Sequence, residues 1–170
     1  MALLVVGIGD CKVSNDPSDV LMTHALGSCI ALVLYDPVAS VAGLLHYMLP
    51  ESCLDAEKSS RLPSLFADTG IPLLLRNVAR LGAVKSRLTV MAAGGAQMLD
   101  PAGTLNIGQR NQRALKRILG DAGLFVDLED IGGTSSRTVS IEVANGRVQL
   151  RMPGEPDRDL SIVKGGPCRL

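Results

Sequence analysis

The sequence predicts a single α+β domain built largely from antiparallel sheet, with helices packed on one face. Strand-like segments outnumber the two segments with helical periodicity, and hairpin signals lie near both ends of the chain. Apolar residues make up 46% of the 170 residues, which is enough to form one sizeable core. The chain has two Phe, two Tyr and no Trp, so we expect this core to be aliphatic.

The predicted strands are apolar or alternating runs bounded by turn residues. They cover residues 3–8, 29–35, 41–49, 88–93, 124–131, 137–144 and 147–152. Asp36-Pro37 marks a turn between two of these strands, and Asn145-Gly146 is a strong hairpin signal between the last two. Apolar residues recur at helical spacing over residues 71–81 and about 108–119, which predicts two helices. The polar stretch 51–63 is predicted to be a loop.

Composition and charge narrow the functional classes. The chain has 17 basic and 17 acidic residues, so no basic field indicates nucleic-acid binding. The apolar N-terminus lacks a basic region and is short, and no apolar run reaches the roughly 20 residues that span a bilayer. These features predict a cytoplasmic protein without membrane insertion. We expect one domain over residues 1–152 and a loosely ordered tail over 153–170, which is rich in Pro and Gly.

Four cysteines, Cys11, Cys29, Cys53 and Cys168, form no CxxC pair. This spacing argues against a zinc ribbon or a redox motif, and the two histidines give no set of four metal ligands. We therefore expect neither a metal nor a cofactor. The default interpretation of each cysteine is a small buried side chain.

One hairpin offers a different interpretation of Cys29. If residues 36–39 form a four-residue loop, Tyr35 faces Ser40 and Cys29 lies directly opposite His46. Directly opposed side chains point to the same face of a sheet and can touch. A slip of one residue would turn His46 to the other face, so this prediction depends on the register.

A thiol next to an imidazole is a reactive pair, because the imidazole can take the thiol proton and later protonate a leaving group. Thr23 is a candidate for orienting the base, and the backbone amides around Gly27 and Ser28 are candidates for binding an oxyanion. His24 is a competing base, although it shares no obvious face with Cys29. A purely structural, buried Cys29 stays open on the pattern alone.

Several short motifs follow one another from about residue 3 to residue 150. They are THALGSCIA at 23–31, LYDP at 34–37, HYMLP at 46–50, FAD at 66–68, GGA at 94–96, NIGQRN at 106–111, and DIGG at 130–133 with Arg137 after it. In this order and spacing, they resemble the signature of the CheD family, the chemoreceptor glutamine deamidases. His24 departs from the small or apolar residue that is more usual there, and the tail after Met152 matches no part of the signature.

The resemblance implies a layered α/β/β sandwich similar to the catalytic domain of cytotoxic necrotizing factor toxins. It implies hydrolysis of receptor glutamine side chains to glutamate and ammonia, with Cys29, His46 and Thr23 as catalytic residues. It also implies chemoreceptor cytoplasmic domains as substrate and a CheC-type phosphatase as partner. Two alternatives stay open: a transglutaminase-like enzyme that uses the same site, and a non-catalytic module that regulates a phosphatase.

Overall fold

The computed structural model describes residues 2–98 and 105–160. These residues form two five-stranded sheets and three α-helices, which confirms the α+β class. The strands are β1 (Leu3–Val5), β2 (Asp10–Ser14), β3 (Val20–Leu26), β4 (Ile30–Asp36), β5 (Val41–Tyr47), β6 (Thr89–Gly94), β7 (Leu128–Ile131), β8 (Arg137–Glu142), β9 (Val148–Arg151) and β10 (Arg158–Asp159). The helices are α1 (Ala56–Arg61), α2 (Ala67–Arg80) and α3 (Ile107–Asp121).

The two sheets are largely antiparallel, as predicted. The first sheet has the order β1-β3-β8-β9-β10, and the second has the order β2-β5-β4-β6-β7. Only the pairs β1–β3 and β6–β7 are parallel among the described strands. No helix in the described part of the chain is long and apolar enough to cross a membrane.

The second sheet is the middle layer of the molecule. All seven residues of β4 are buried, because the strand is covered on both faces. Ile30, Leu32 and Leu34 pack in the core that also contains α2 and α3. Ala31 and Val33 point the other way, into the core shared with the first sheet. A strand covered on both faces carries a continuous apolar run, which is what the sequence shows here.

The helices cover one face of the second sheet for a reason visible in their sequences. Helix α2 buries Ile71, Leu74 and Val78, which recur every three or four residues and line one side of the helix. Helix α3 buries Ala114, Leu115 and Leu119 in the same way. The two predicted helices are therefore confirmed, with α2 beginning four residues earlier and both differing by one or two residues at their ends.

The loop predicted over residues 51–63 is partly wrong, because it contains α1. None of the residues of α1 is buried, so no apolar periodicity marks it. Its local signals are polar: the side chain of Asp55 accepts a hydrogen bond from the N–H of Lys58, and Glu57 pairs with Arg61 at i,i+4. The short edge strand β2 and strand β3 were also not among the predicted strands. Residues 158–159, within the predicted tail, pair with β9 as β10.

The register of the β4–β5 hairpin differs from the predicted one by two residues. Asp36 pairs with Val41, so the four-residue loop is 37–40 rather than 36–39. Asp36 ends the strand because its carboxylate accepts hydrogen bonds from the N–H groups of Val38 and Ala39 inside the turn. His46 therefore pairs with Ala31 and not with Cys29. A shift of two residues preserves the face of every side chain, so Cys29 and His46 still point to the same side of the sheet.

Candidate active site

The segment that carries Cys29 is held by its carbonyl groups. Cys29 lies one residue before β4 and is 8% exposed. Its carbonyl oxygen accepts a hydrogen bond from the N–H of Gly95 at 2.7 Å, and that of Gly27 accepts one from the N–H of Ala96 at 2.8 Å. The N–H groups of residues 27–29, in contrast, donate to no other residue in the described part of the chain. They are therefore free to meet an oxyanion next to the thiol.

Gly94 explains the GGA motif in physical terms. Its φ angle is +110°, a conformation that residues with a side chain rarely adopt. A Cβ atom at this position would overlap the carbonyl oxygen of Cys29. The glycine therefore lets the end of β6 approach the Cys29 segment closely enough for the hydrogen bond from Gly95. The motif therefore supports close packing of the backbone.

Thr23 and His46 are in direct contact across the two sheets. Thr23 lies on β3 of the first sheet and His46 on β5 of the second, and both are buried. The distance from Thr23 Oγ1 to His46 Nδ1 is 2.8 Å, and Thr23 Oγ1 also donates a hydrogen bond to the carbonyl oxygen of Val6 at 2.7 Å. A hydroxyl has one proton, so it must accept from Nδ1–H of His46. This arrangement fixes the neutral imidazole as the Nδ1–H tautomer, with Nε2 as its basic nitrogen.

The basic nitrogen of His46 has no partner. His46 Nε2 is buried and makes no hydrogen bond to any residue that the structure describes. Burial lowers the pKa of His46 to about 4. The imidazole is therefore neutral near pH 7, with its lone pair available to accept a proton.

The thiol of Cys29 is protonated in this resting state. Burial raises the pKa of Cys29, and its own backbone N–H offsets only part of that effect. Cys29 belongs to the same core cluster as Ala31, which pairs with His46, so the register places Cys29 diagonally to His46 and, by parity, on the same face of the sheet. No hydrogen bond joins the thiol to Nε2 of His46. A neutral thiol within reach of a neutral base can give up its proton when an electrophile arrives.

A distortion in β3 separates Thr23 from His24. The pairing of β3 with β8 shifts register between Thr23 and Leu26, and Ala25 has a φ angle of 56°. The register shift and the left-handed conformation of Ala25 mark a bulge in β3 at this point. His24 is exposed and does not point into the core with Thr23. The predicted competing base thus lies outside the cluster that joins Thr23 and His46.

Of the other three cysteines, the structure describes Cys11 and Cys53. Cys11 is half-buried on β2, and burial raises its pKa to about 11. Cys53 is exposed, and Cys168 lies outside the described residues.

Two participants in the site could not be found from the sequence pattern. The first is the carbonyl of Val6, since a backbone oxygen leaves no mark in the sequence. The second is Asn111, whose Nδ2 donates hydrogen bonds to the carbonyl oxygens of Ser28 and Met48 at 3.0 and 2.8 Å. Asn111 therefore contacts the residue that precedes Cys29.

Comparison with known proteins gives matches to one family. Residues 48–152 match the family model described as CheD chemotactic sensory transduction. A probable chemoreceptor glutamine deamidase CheD of Solibacter usitatus is 48% identical over 155 residues, which are 91% of this chain and 92% of that protein. Probable chemoreceptor glutamine deamidase CheD 1 of Syntrophus aciditrophicus is 44% identical over 160 residues, which are 94% of this chain and 100% of that protein.

A relative from a third organism gives the same result. The probable chemoreceptor glutamine deamidase CheD of Pyrococcus horikoshii is 40% identical over 148 residues, 86% of this chain and 90% of that protein. Among solved structures, a hypothetical protein YfiH of Bacillus licheniformis aligns with a TM-score of 0.42 and 16% identity. That alignment covers 71% of this chain and 49% of the YfiH chain, and it carries no argument about the site. The family model and the identities over most of each relative show that the chain belongs to the CheD family.

Proposed function

We propose that this protein is a hydrolase that converts glutamine side chains of chemoreceptor cytoplasmic domains to glutamate and ammonia. The single observation that carries the proposal is the contact between Thr23 and His46. It leaves Nε2 of His46 without a partner among the described residues, and the register puts His46 on the same face as Cys29. The printed names of the relatives supply the substrate class, because they describe those proteins as probable chemoreceptor glutamine deamidases.

The first half of the proposed reaction forms a thioester. Cys29 Sγ attacks the side-chain amide carbon of the substrate glutamine while its proton passes to His46 Nε2. The carbonyl oxygen becomes an oxyanion, and the N–H groups at Gly27, Ser28 and Cys29 are the candidate donors for it. His46 then gives the proton to the amide nitrogen, the carbon–nitrogen bond breaks, and ammonia leaves.

The second half of the reaction restores the enzyme. His46 Nε2, neutral again, takes a proton from a water molecule that attacks the thioester carbon. The carbon–sulfur bond breaks, the substrate leaves as glutamate, and the proton returns to the sulfur of Cys29. Thr23 keeps Nδ1 protonated and directed away from the reaction throughout, because its own proton is engaged by Val6. Besides the substrate and one water molecule, these steps use side chains and backbone groups of this chain.

The finer statements about partners and location are proposals that rest on the family resemblance. A receptor domain that faces the cytoplasm requires the enzyme in the same compartment, so we place the protein there. We also propose that a CheC-type phosphatase binds it. Co-purification of the two proteins at equal amounts would support that partner, and no binding at micromolar concentrations of both would contradict it.

The direct test of the activity is mass spectrometry of a receptor cytoplasmic fragment after incubation with the protein, together with an ammonia assay. We expect wild-type protein to convert specific glutamines to glutamate and to release one ammonia for each. Cys29→Ala should abolish conversion, and His46→Ala should reduce it about 10²–10⁴-fold, the usual range for a positioned general acid–base. His24→Ala is the matched histidine control and should retain activity.

Two results would contradict the proposal. Ammonia release that occurs only when an amine is added, with the amine joined to the glutamine, would indicate a transglutaminase-like enzyme. Equal and negligible conversion by the wild-type and Cys29→Ala proteins, both folded, would instead indicate a non-catalytic module.

A further inference from the structure

Asn111 is a fully buried polar residue that the proposed mechanism does not use. It lies near the start of α3, and its side-chain nitrogen donates both of its protons, one to the carbonyl oxygen of Ser28 and one to that of Met48. Ser28 immediately precedes Cys29, and Met48 follows His46 by two residues. One amide group therefore joins the two segments that carry the candidate nucleophile and the candidate base.

The two hydrogen bonds of Asn111 lie where the pairing of β4 with β5 ends. Ile30 and Tyr47 are its last pair toward the site. Beyond that pair, the N–H groups of Met48 and Leu49 both donate to the carbonyl oxygen of Leu65, so the second strand turns away from the first. The sheet itself thus does not hold residues 28 and 48 together. Asn111 replaces the missing ladder hydrogen bonds at this point.

Asn111 is itself fixed from the side of β5. The hydroxyl of Tyr47, the residue after His46, donates a hydrogen bond to the backbone carbonyl of Asn111 at 2.9 Å. Tyr47 is fully buried in the core under the helices. The position of the Asn111 side chain therefore depends on β5 as well as on α3. A displacement of either element would move both the segment that carries Cys29 and the segment that carries His46.

Asparagine fits this role better than residues of similar size. Aspartate has the same shape but offers no proton to either carbonyl when ionised, and leucine offers none at all. The side-chain oxygen of Asn111 has no hydrogen-bond partner in the described part of the chain, which costs stability. Asn111 thus leaves one buried acceptor without a described partner, while its nitrogen holds two carbonyl groups in place. This is expected of a residue whose role is to fix the positions of other groups.

We propose that Asn111 is a positioning residue that sets the separation of Cys29 and His46. The inference rests on the proposed function, because its main consequence is for the reaction of the Cys29–His46 pair. A displacement of about 1 Å between reacting groups can cost about 10²-fold in rate. Asn111→Leu and Asn111→Ala, which both keep good helix propensity, should therefore lower turnover about 10²-fold at saturating receptor fragment, with little change in KM.

The control variant is Leu115→Ala, one turn further along α3. Leu115 is fully buried in the core under the helices, and its apolar side chain cannot form hydrogen bonds to the segments that carry Cys29 and His46. Its truncation therefore destabilises the same helix through lost packing alone. We expect a lower melting temperature for Leu115→Ala with turnover per folded molecule near the wild-type value. Turnover per folded molecule near wild type in either Asn111 variant would overturn the inference.

A second readout does not depend on the deamidase activity. The rate of Cys29 alkylation by iodoacetamide is measured by peptide mapping, with and without His46→Ala. In wild-type protein, His46 should accelerate alkylation by accepting the thiol proton. In the Asn111 variants, the acceleration should disappear, and an undiminished effect of His46 would overturn the inference. A wild-type protein that fails to deamidate receptor fragments but shows this pattern would contradict the proposed function and leave the role of Asn111 supported.

Discussion

A neutral hydroxyl orients the candidate base of this protein. In serine proteases, that position is held by a buried carboxylate, which also stabilises the imidazolium. Thr23 can fix the tautomer of His46 because its proton is engaged by Val6, but it brings no charge. This difference agrees with the low pKa of His46, since burial disfavours the protonated ring and Thr23 brings no charge to offset that effect.

The first prediction concerns this hydroxyl. Thr23→Ala should lower turnover about 10–10³-fold, less than the loss expected for His46→Ala, because a neutral orienting group contributes less than a carboxylate. Thr23→Ser keeps the hydroxyl and should keep much of the activity. The measurement is single-turnover ammonia release normalised to folded protein. A Thr23→Ala protein with a lower melting temperature and unchanged turnover would show that the hydroxyl only stabilises the fold.

The second prediction concerns pH. His46 must be neutral to accept the thiol proton, and its pKa in the folded protein is lowered to about 4. The acid limb of the kcat/KM profile reports the free enzyme, so we expect activity to fall only as pH drops toward about 4. Far-UV circular dichroism at each pH separates this limb from unfolding. An acid limb near pH 6.5, the ordinary value for histidine, would contradict the assignment of His46 as a buried neutral base.

Residue identity was easier to predict than residue contact. Cys29, His46 and Thr23 are marked by short motifs and by parity along a strand, which a register shift of two residues leaves intact. Asn111 is 83 residues from Ser28 in the sequence, and no local pattern indicates that they meet. The carbonyl of Val6 has no side-chain signature at all. Both were found only once the fold placed them.

At the scale of elements, the close backbone contacts around Cys29 require a glycine at the end of the neighbouring strand. β6 ends at Gly94, where a positive φ angle and the carbonyl of Cys29 leave no room for a Cβ atom. The helices were predictable because their buried faces repeat every three or four residues. The hairpin register could not be predicted in this way. Asp36 belongs to the last strand pair, although its carboxylate accepts hydrogen bonds from N–H groups of the turn.

The third prediction uses two glycines with similar backbone angles. Gly94→Ala should lower turnover by at least about 10²-fold, since the added methyl group pushes the Cys29 segment away from its position. Gly82 has a φ angle of +99° and nothing within 4 Å of an added Cβ, so Gly82→Ala bears similar strain without that collision. Gly82→Ala should lose stability and keep its turnover per folded molecule. Equal turnover in the two variants would show that the collision with Cys29 has no effect on the reaction.

At the scale of the whole molecule, one buried carboxylate joins the end of β4 to the segment between α2 and β6, which is distant in sequence. Asp36 is fully buried and accepts hydrogen bonds from the N–H of Val84 and from Arg87, besides those of its own turn. These contacts hold its pKa well below the usual range for aspartate, despite the opposing effect of burial. The carboxylate is therefore ionised in the folded protein even where an unfolded chain would be protonated.

The fourth prediction follows from this linkage. A lowered pKa in the folded state contributes stability above the unfolded value, near pH 4, and this contribution is lost as pH falls below it. Asp36→Asn should lower the free energy of unfolding by about 3 kcal/mol at pH 7, and the difference from wild type should shrink in acid. Chemical denaturation at pH 7 and pH 3 measures both values.

The exposed pair of Glu57 and Arg61 provides the control for this measurement. Both side chains are more than two-thirds exposed, so Glu57→Gln should change the free energy of unfolding by less than about 1 kcal/mol. A loss for Asp36→Asn that is no larger than this, or that stays constant down to pH 3, would contradict the role of the buried carboxylate.

The hydrogen bond between Thr23 and His46 has a consequence for how this protein loses activity. Its two ends belong to different sheets, so it exists only while the sheets are packed face to face. A compact state with both sheets formed but loosely packed would have near-native far-UV circular dichroism and an imidazole free to change tautomer. During gradual denaturation, deamidation should therefore stop before secondary structure melts. Turnover would then report whether the two sheets are still packed at their native distance.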